Sequence, residues 1–370
     1  MKMLRITHLS AERRDEWNEF VLREPMFALM QSWEWGEFKE KLGWKASRVA
    51  VEARGRILAG AQILIKPLPL GLASITYVPR GPIGKWLDKE ITDVLLLELH
   101  RIARLNNAIF LKIEPPLPND PEIDRALVRK GFKAGQHNNQ PRTSIVLDLT
   151  PDLEVILRRI RSNTRTYIRS AVRNGVTVRF GGDEDLPAFY RMMKATAQRE
   201  KFSSRTFDYY EKEWLTFKRD DRAAMFLAYH QESLLAVRMA YRFGKYAADF
   251  HAGSLKLPSN TRPNNLLVWE AIKWAKDQGC ETYDLWGIPD EVGRIVSGGD
   301  LPPAYDRTDG LWGVYQFKSA FSKNIIYYVG AYDYVYRPSL YDLAANKYVN
   351  SDTVERFSSW LDAFRSRSIS

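Results

Sequence analysis

Regularly spaced arginines are the first residues of this chain whose types and positions suggest chemistry. Between Val155 and Gly182 the sequence has seven arginines and no carboxylate. On a helix, a four-residue spacing stacks like charges along one face, which destabilises the helix unless an external anion neutralises them. The pattern indicates a phosphate-bearing partner, and a solvated basic helix with its acids elsewhere in the fold is the alternative. Four of the arginines have this spacing, namely Arg161, Arg165, Arg169 and Arg173.

Other common signatures of chemistry are missing from the sequence. It contains no Walker-type phosphate loop, no glycine-rich dinucleotide motif and no serine-nucleophile elbow. The five histidines are far apart and show no paired ligand spacing, so we expect no metal site. The single cysteine, Cys280, precedes an apparent strand, and we expect it to be a small buried hydrophobic residue.

Length and composition predict a protein of two domains with packed cores. The 370 residues exceed the size at which one core usually stops growing, and 45% of them are hydrophobic. The formal net charge is +10, of which the arginine-rich segment supplies +7. No apolar run is long enough to span a bilayer, and the N-terminal residues lack the apolar stretch of a secretory signal. Together with the single cysteine, this leads us to expect a cytoplasmic protein.

The elements that must position these residues occur twice in the same order. Each half of the chain shows two helices, a β-hairpin, a strand, a helix and a further strand. Ser32 is expected to begin a helix, and Asn174 to end the arginine-rich one. The duplication predicts two α/β domains, residues 1–150 and 151–324, with the C-terminal segment 325–370 completing the first. A substrate cleft is expected between or beside such domains.

Six segments in family order resemble the Fem family of peptidoglycan interpeptide-bridge transferases, which includes FemA, FemB and FemX. They are QSWEWGEFKEKLGW (31–44), YVPRGPI (77–83), QPRTSIVLDL (140–149), SNTRTYIRSAVRNGV (162–176), YDLWGI (283–288) and GLWGVYQFKSAFS (310–322). The resemblance implies two tandem acetyltransferase-like (GNAT-type) domains, in agreement with the duplication. Because no sustained heptads occur, the chain resembles the compact FemX-like form without a coiled-coil arm.

An aminoacyl transfer is the reaction that this resemblance implies. An amine on the stem peptide of a peptidoglycan precursor, either lipid II or UDP-MurNAc-pentapeptide, attacks the ester of an aminoacyl-tRNA carrying glycine, alanine or serine. Because the ester is already activated, the enzyme needs alignment and charge stabilisation rather than its own nucleophile. The aminoacyl-tRNA is thus a co-substrate and no cofactor is expected. We expect a monomer, compatible with peripheral contact to the anionic inner leaflet.

The resemblance also assigns residues to the precursor site. Lys39 and Arg205 match family residues that contact the diphosphate, and Tyr209 matches a tyrosine of the same site. A guanidinium supplies two parallel donors to a phosphate, which suits Arg205 to this role. The ordinary alternatives are a surface lysine at position 39 and a salt bridge at a helix start for Arg205.

The sequence departs from the family pattern at three positions of this site. Glu114 stands where FemX-like proteins have an aspartate after the first-domain strand. Ile109 and His251 each replace a family tyrosine. These changes concern the contacts with the muramyl peptide and leave the expected fold intact. Asp284, in the segment YDLWGI, lies at a strand end where acetyltransferase-type folds bind substrates.

Lys318 and Phe317 match the family's Phe-Lys pair near the aminoacyl end of the tRNA. The resemblance implies that Lys318 stabilises the oxyanion of the tetrahedral intermediate and that Phe317 stacks on the terminal adenine. A lysine on the polar side of an amphipathic stretch is the alternative. In this context the arginine row is expected to contact phosphates of the tRNA acceptor arm.

Two other functions stay open from the sequence. An acyl-CoA-dependent N-acyltransferase would share the fold, but the segment from Arg262 to the helix around Leu266 lacks the glycines of a pyrophosphate-binding loop. A non-enzymatic basic RNA-binding protein would explain the arginines. It would not explain tryptophans and tyrosines that are scattered along the chain instead of concentrated in a stacking platform.

Overall fold

Two units make up the chain, and each is built around its own mixed β-sheet. One unit comprises residues 1–142 and 328–370, and the other comprises residues 143–327. The structure is a computed structural model that describes residues 3–24, 26, 28–86, 88–200, 202–255, 261–300 and 311–348. Residues 349–370 of the predicted C-terminal segment therefore lie outside the described residues.

The helices and strands of the described residues are numbered in chain order. The helices are α1 (Arg14–Leu22), α2 (Trp33–Lys41), α3 (Lys89–Leu105), α4 (Pro121–Arg129), α5 (Leu153–Arg159), α6 (Ser162–Arg173), α7 (Leu186–Glu200), α8 (Phe207–Phe217), α9 (Pro263–Asp277), α10 (Asp290–Ser297), α11 (Trp312–Lys318) and α12 (Pro338–Tyr348). The strands are β1 (Arg5–His8), β2 (Lys45–Ala53), β3 (Arg56–Pro67), β4 (Ser74–Val78), β5 (Ile83–Gly84), β6 (Ala108–Ile113), β7 (Lys133–Ala134), β8 (Thr143–Asp148), β9 (Val176–Phe180), β10 (Ala223–His230), β11 (Ser233–Phe243), β12 (Tyr246–Ser254), β13 (Thr282–Gly287), β14 (Asn324–Tyr327) and β15 (Tyr332–Val335).

Local capping chemistry explains where several helices begin and end. The Ser32 hydroxyl accepts a hydrogen bond from the Trp35 backbone N–H at 3.2 Å and so begins α2, as predicted. Thr206 caps α8 in the same way. At the other end of α6, Asn174 is the cap and Gly175 adopts a left-handed φ of +78°, which confirms the predicted end of the arginine-rich helix.

The two sheets have the same strand order. It is β1-β2-β3-β4-β6-β15-β7 in the first unit, with β5 paired to β3, and β9-β10-β11-β12-β13-β8-β14 in the second. Each sheet has one parallel pair, β4 with β6 or β12 with β13, flanked by antiparallel neighbours. The crossover helices α3 and α9 pack against their own sheets through apolar faces. This architecture confirms the expected α/β fold class.

Strand β8 belongs to the second unit, whereas the predicted division at residue 150 placed it in the first. Its residues Val146 and Asp148 pair with Asp284 and Thr282 of β13, and its other edge pairs with β14. In the first sheet the equivalent position is taken by β15, which follows the whole second unit in the chain. The position of β8 along the chain, directly after the elements of the first unit, therefore does not predict which sheet it joins.

A buried ion pair connects the C-terminal segment to the first sheet. Lys112 on β6 and Asp333 on β15 are 2% and 0% exposed, and Lys112 Nζ lies 3.0 Å from Asp333 Oδ1. Lys112 Nζ also donates to the His137 carbonyl at 2.9 Å, and the Tyr341 hydroxyl donates to Asp333 Oδ2 at 2.6 Å. Both charges are thus compensated inside the protein.

Replacing Asp333 by alanine should destabilise the first unit by about 3–5 kcal/mol, because Lys112 is left as an uncompensated buried charge. Urea denaturation followed by circular dichroism would measure the loss. The double variant Lys112→Met with Asp333→Leu should recover most of it, since no buried charge remains. A single variant within 1 kcal/mol of the wild type would contradict this account of the pair.

Candidate functional site

The structure places most of the predicted site residues in the second unit. Lys39 on α2 and Glu114, which follows β6, lie in the first unit. The remaining predicted residues lie in the second unit, namely Arg161, Arg165, Arg169, Arg173, Arg205, Tyr209, His251, Asp284, Phe317 and Lys318.

The parallel strands of the second sheet separate before they end. Their register runs from Tyr246 opposite Thr282 to Ala248 opposite Asp284 and stops there. In the first sheet, by contrast, β4 and β6 remain paired to their last residues, Val78 and Ile113. We call the divergence bounded by residues 249–254 and 285–287 the β12–β13 opening. Unpaired strand ends of this kind leave room for a ligand between them.

Lys318 lies beside the β12–β13 opening. It is the last residue of α11, and its Nζ donates a hydrogen bond to the Gly287 carbonyl at 2.8 Å. Withdrawal of the ammonium group from water lowers the pKa of Lys318 from 10.5 to about 8, while the carboxylates of Asp249 and Asp284 oppose this shift. Near neutral pH the side chain therefore remains mostly cationic.

A buried polar cluster lies next to Lys318 and was not predicted from the sequence. Arg238 on β11 donates to Asp249 Oδ2, and the Tyr283 hydroxyl donates to Asp249 Oδ1. All three residues are less than 9% exposed. Burial raises the pKa of Asp249, and the Arg238 guanidinium and the Tyr283 hydroxyl act against that rise. The available sequence signal was a charged residue within a short apolar stretch of each strand, Arg238 in LAVRMA and Asp249 in AADF.

Asp284 shapes the end of β13. Its Oδ1 accepts hydrogen bonds from the Ser144 hydroxyl and, at 2.7 Å, from the Trp286 backbone N–H. Trp286 has a φ of +68°, a left-handed conformation that is rare for a bulky residue. Asp284, predicted to bind substrate, is 1% exposed. Its carboxylate holds the strained turn directly before Gly287.

Ring contacts connect this turn with the residues assigned to the precursor. The Trp286 and Phe250 ring centroids are 4.6 Å apart, and His251, next to Phe250, makes an edge contact with Tyr210 at 5.0 Å. His251 Nε2 also lies 2.6 Å from a carboxylate oxygen of the fully buried Glu213.

Arg205 and Tyr209 lie at the start of α8. The Arg205 guanidinium lies over the Tyr209 ring at 5.1 Å from the centroid. Tyr209 itself is buried and makes an edge contact with the adjacent Tyr210. The strand end carrying His251 and the start of α8 therefore meet through Tyr210. Phe317 packs on the core of the second unit and against Phe321 at 5.4 Å.

In the first unit, Glu114 is engaged by the protein itself. Its Oε2 accepts a hydrogen bond from the Tyr77 hydroxyl, and its Oε1 accepts the backbone N–H groups of Asn139 at 2.6 Å and Gln140 at 3.2 Å. Burial raises the pKa of Glu114, an effect that nearby Lys112 opposes. Lys39 Nζ lies over the rings of its own helix, 4.8 Å from the centroid of Phe38.

The four predicted arginines do not form one uniform row. Helix α6 begins at Ser162, so Arg161 precedes the helix, and it lines a cavity of about 740 Å³ with Arg159 and Lys323. Arg165 donates to the carbonyls of Arg158 at 2.9 Å and Ile160 at 2.6 Å, which fixes it to the end of α5.

Arg169 and Arg173 are exposed on α6. Arg165, Arg169 and Arg173 keep the predicted four-residue spacing on α6. Of the four, Arg161 alone lies outside the helix, because the chain turns between α5 and α6. Over the described residues, no group of three or more histidine, cysteine or acidic side chains is arranged to hold a metal ion. None of the described helices is long and apolar enough to cross a bilayer.

Solved structures define the class of protein. The crystal structure of FemX matches with a TM-score of 0.77 and 22% identity, over 92% of this chain and 100% of that one. A tandem GNAT protein from the clavulanic acid biosynthesis pathway matches with a TM-score of 0.54 and 13% identity, over 89% of this chain and 98% of its own. The chain is thus a protein of two tandem acetyltransferase-like units.

The chain belongs to the FemAB family, whose model matches residues 12–122, 128–235 and 228–348. The lipid II:glycine glycyltransferase of Staphylococcus aureus (strain USA300) is 23% identical over 411 residues, covering 91% of this chain and 94% of the relative. The enzyme of the same name from Staphylococcus haemolyticus is also 23% identical, covering 89% and 93%. These findings confirm the expected family and the expected class of enzyme, a transferase.

The Asp249→Asn variant should lower the pKa of Lys318 further below about 8, because the carboxylate that favours the ammonium form is lost while Arg238 remains. The pH dependence of Lys318 acetylation by acetic anhydride, followed by peptide mass spectrometry, would measure this pKa. Asp277→Asn, at the exposed end of α9, makes the same charge change and should leave the pKa unaltered. A pKa that stays constant or rises in Asp249→Asn would contradict the expected coupling.

Proposed function

We propose that this chain transfers an aminoacyl group from an aminoacyl-tRNA to the stem-peptide amine of a peptidoglycan precursor and so builds the interpeptide bridge. The observation that carries the proposal is Lys318, cationic and withdrawn from water beside the β12–β13 opening. Membership of the FemAB family and similarity to lipid II:glycine glycyltransferases support it. Glycine is the donor amino acid that we favour, with alanine and serine as alternatives.

In the proposed reaction the acceptor amine attacks the ester carbonyl and forms a tetrahedral intermediate. Collapse of this intermediate breaks the bond to the ribose oxygen of the tRNA, which leaves with the proton lost by the amine. The Lys318 ammonium stabilises the negative charge on the carbonyl oxygen. Because Lys318 is half-buried, its charge acts more strongly than it would in bulk water.

We further propose that Lys39, Arg205 and Tyr209 contact the precursor, and that Arg169 and Arg173 contact tRNA phosphates. We assign Glu114 and Asp284 a supporting role at the site, because their oxygens accept hydrogen bonds from the protein. A lipid-linked acceptor would bring the chain, as a monomer, to the membrane surface on its cytoplasmic side. There its net positive charge favours contact with anionic lipids.

Transfer from acyl-CoA is disfavoured by the start of α9. Arg262, which directly precedes the helix, has a φ of +45°, where a pyrophosphate loop would use glycine. Its guanidinium lies 4.4 Å from the centroid of the Tyr167 ring. The direct test incubates the full chain with labelled glycyl-tRNA or acetyl-CoA and with lipid II or UDP-MurNAc-pentapeptide. Transfer from acetyl-CoA alone would overturn the proposal.

Removing the Lys318 ammonium should slow turnover far more than it weakens precursor binding. We expect Lys318→Ala to lower kcat by about 10²–10³-fold, with little change in KM for the precursor, because the charge acts on the intermediate. Steady-state kinetics with glycyl-tRNA and lipid II would measure both. Unchanged turnover would exclude Lys318 from the chemistry.

The Lys318→Arg variant provides a pH test of the same role. The wild-type rate should fall relative to the Arg variant as pH rises through about 8, where Lys318 loses its proton while arginine keeps its charge. The ratio of the two rates removes the common effect of the acceptor amine's own titration. A ratio that does not vary with pH would show that the charge state of Lys318 is irrelevant.

Reversing the charges of Arg169 and Arg173 to glutamate should weaken the use of charged tRNA and flatten its salt dependence by about one unit of slope per arginine. The KM for aminoacyl-tRNA at several salt concentrations is the measurement. Arg191→Glu with Lys194→Glu, on the exposed side of α7, makes the same charge change and serves as the control. Equal effects of the two pairs would mean that only net charge matters.

A further inference from the structure

Two aromatic rings meet at two irregularities of the second sheet. In β12, His251 pairs with Met239 and Asp249 with Ala240, so Phe250 has no opposite residue on β11. In β13, the register against β8 shifts between Asp284 and Gly287, and this shift contains Trp286. The rings of Phe250 and Trp286 are 4.6 Å apart at an angle of 43°. β-Bulges re-aim side chains, and here two separate bulges direct two rings to one place.

Trp286 is kept in this place despite backbone strain. Its φ of +68° is strained for a residue with a Cβ atom, whereas glycine adopts it freely. The Asp284 carboxylate fixes the conformation by accepting the Trp286 N–H at 2.7 Å. Backbone strain that the surroundings enforce is typical of functional positions. Glycine at position 286 would relieve the strain but would also remove the indole ring.

The ring pair lies directly beside the proposed chemistry. Gly287, the next residue after Trp286, provides the carbonyl that holds Lys318 Nζ at 2.8 Å. Phe250 and Trp286 are both half-buried. Phe250 follows the last paired residues of β12, and Trp286 follows those of β13. The two rings therefore meet across the β12–β13 opening, beside the residue that holds Lys318.

We propose that the ring pair Phe250–Trp286 is the wall that limits the side chain of the transferred amino acid. This inference rests on the proposed function, in which the aminoacyl carbonyl is held at Lys318. The α-carbon of the transferred amino acid is bonded to that carbonyl. Its side chain would therefore lie near Gly287, the residue that follows Trp286. A rigid indole supported by a second ring leaves room for hydrogen or a small group and rejects branched side chains by overlap.

The test compares donors that differ only in the amino acid. One tRNA body is charged chemically with glycine, alanine or valine, and transfer to lipid II is measured for the wild type, Trp286→Gly and Phe250→Ala. Glycine at position 286 tolerates the left-handed φ and removes the ring. We expect the ratio of valyl to glycyl transfer to rise at least about tenfold in Trp286→Gly, whatever the absolute rates. Phe250→Ala should raise it in the same direction.

Trp269→Ala serves as the matched control, because it removes an indole that packs on the core of the same unit. Its valyl-to-glycyl ratio should equal that of the wild type. If Trp286→Gly fails to fold, Phe250→Ala carries the test alone. A wild type that transfers glycine, together with unchanged ratios in the folded variants, would overturn the ring-pair proposal only. A wild type that uses no charged tRNA would overturn the proposed function, and this proposal with it.

Discussion

The end of the parallel pairing between β12 and β13 is the constraint on which the site in the second unit depends. Beyond Ala248 and Asp284 the two strands no longer pair through backbone hydrogen bonds. Asp249 then pairs with Arg238, and Asp284 binds Ser144 and the turn at Trp286. The same separation that opens the sheet thus places two carboxylates next to Lys318, and both favour its charged form.

This arrangement resolves a conflict between desolvation and charge. An isolated lysine withdrawn from water would lose its proton near neutral pH, and a fully hydrated one would act weakly on a developing anion. The carboxylates of Asp249 and Asp284 keep the pKa near 8, so that Lys318 is half-buried and still cationic. Arg238 in turn pairs with Asp249 and, as a second positive charge, lowers the pKa of Lys318.

Local sequence signals predicted the elements well but not their assignment to sheets. Caps such as Ser32, and the alternation of helical and strand patterns, depend on residues within a few positions of each other. The membership of β8 depends instead on pairing with β13, whose residues lie more than a hundred positions away in the chain. The same holds for β15, which completes the first sheet after the chain has formed the second unit.

The site was predictable only as far as single residues resemble a family. The sequence picked out Lys318 and Asp284, but neither Asp249 nor Arg238, which also act on the charge of Lys318. Which residues become partners depends on the register between neighbouring strands. One extra residue in a strand, as in a β-bulge, reverses the faces to which all later side chains point.

Arg161 departs from the predicted arginine row for a related physical reason. A four-residue spacing implies one face only while the helix is continuous, and a turn between α5 and α6 separates Arg161 from the rest. Arg165 donates hydrogen bonds to two backbone carbonyls at this turn, those of Arg158 and Ile160. At two irregular places of the second unit, the turn at Trp286 and the turn between α5 and α6, a charged side chain (Asp284 or Arg165) hydrogen-bonds the backbone. The residues that remain regular and exposed, such as Arg169 and Arg173, are therefore the ones available to a partner.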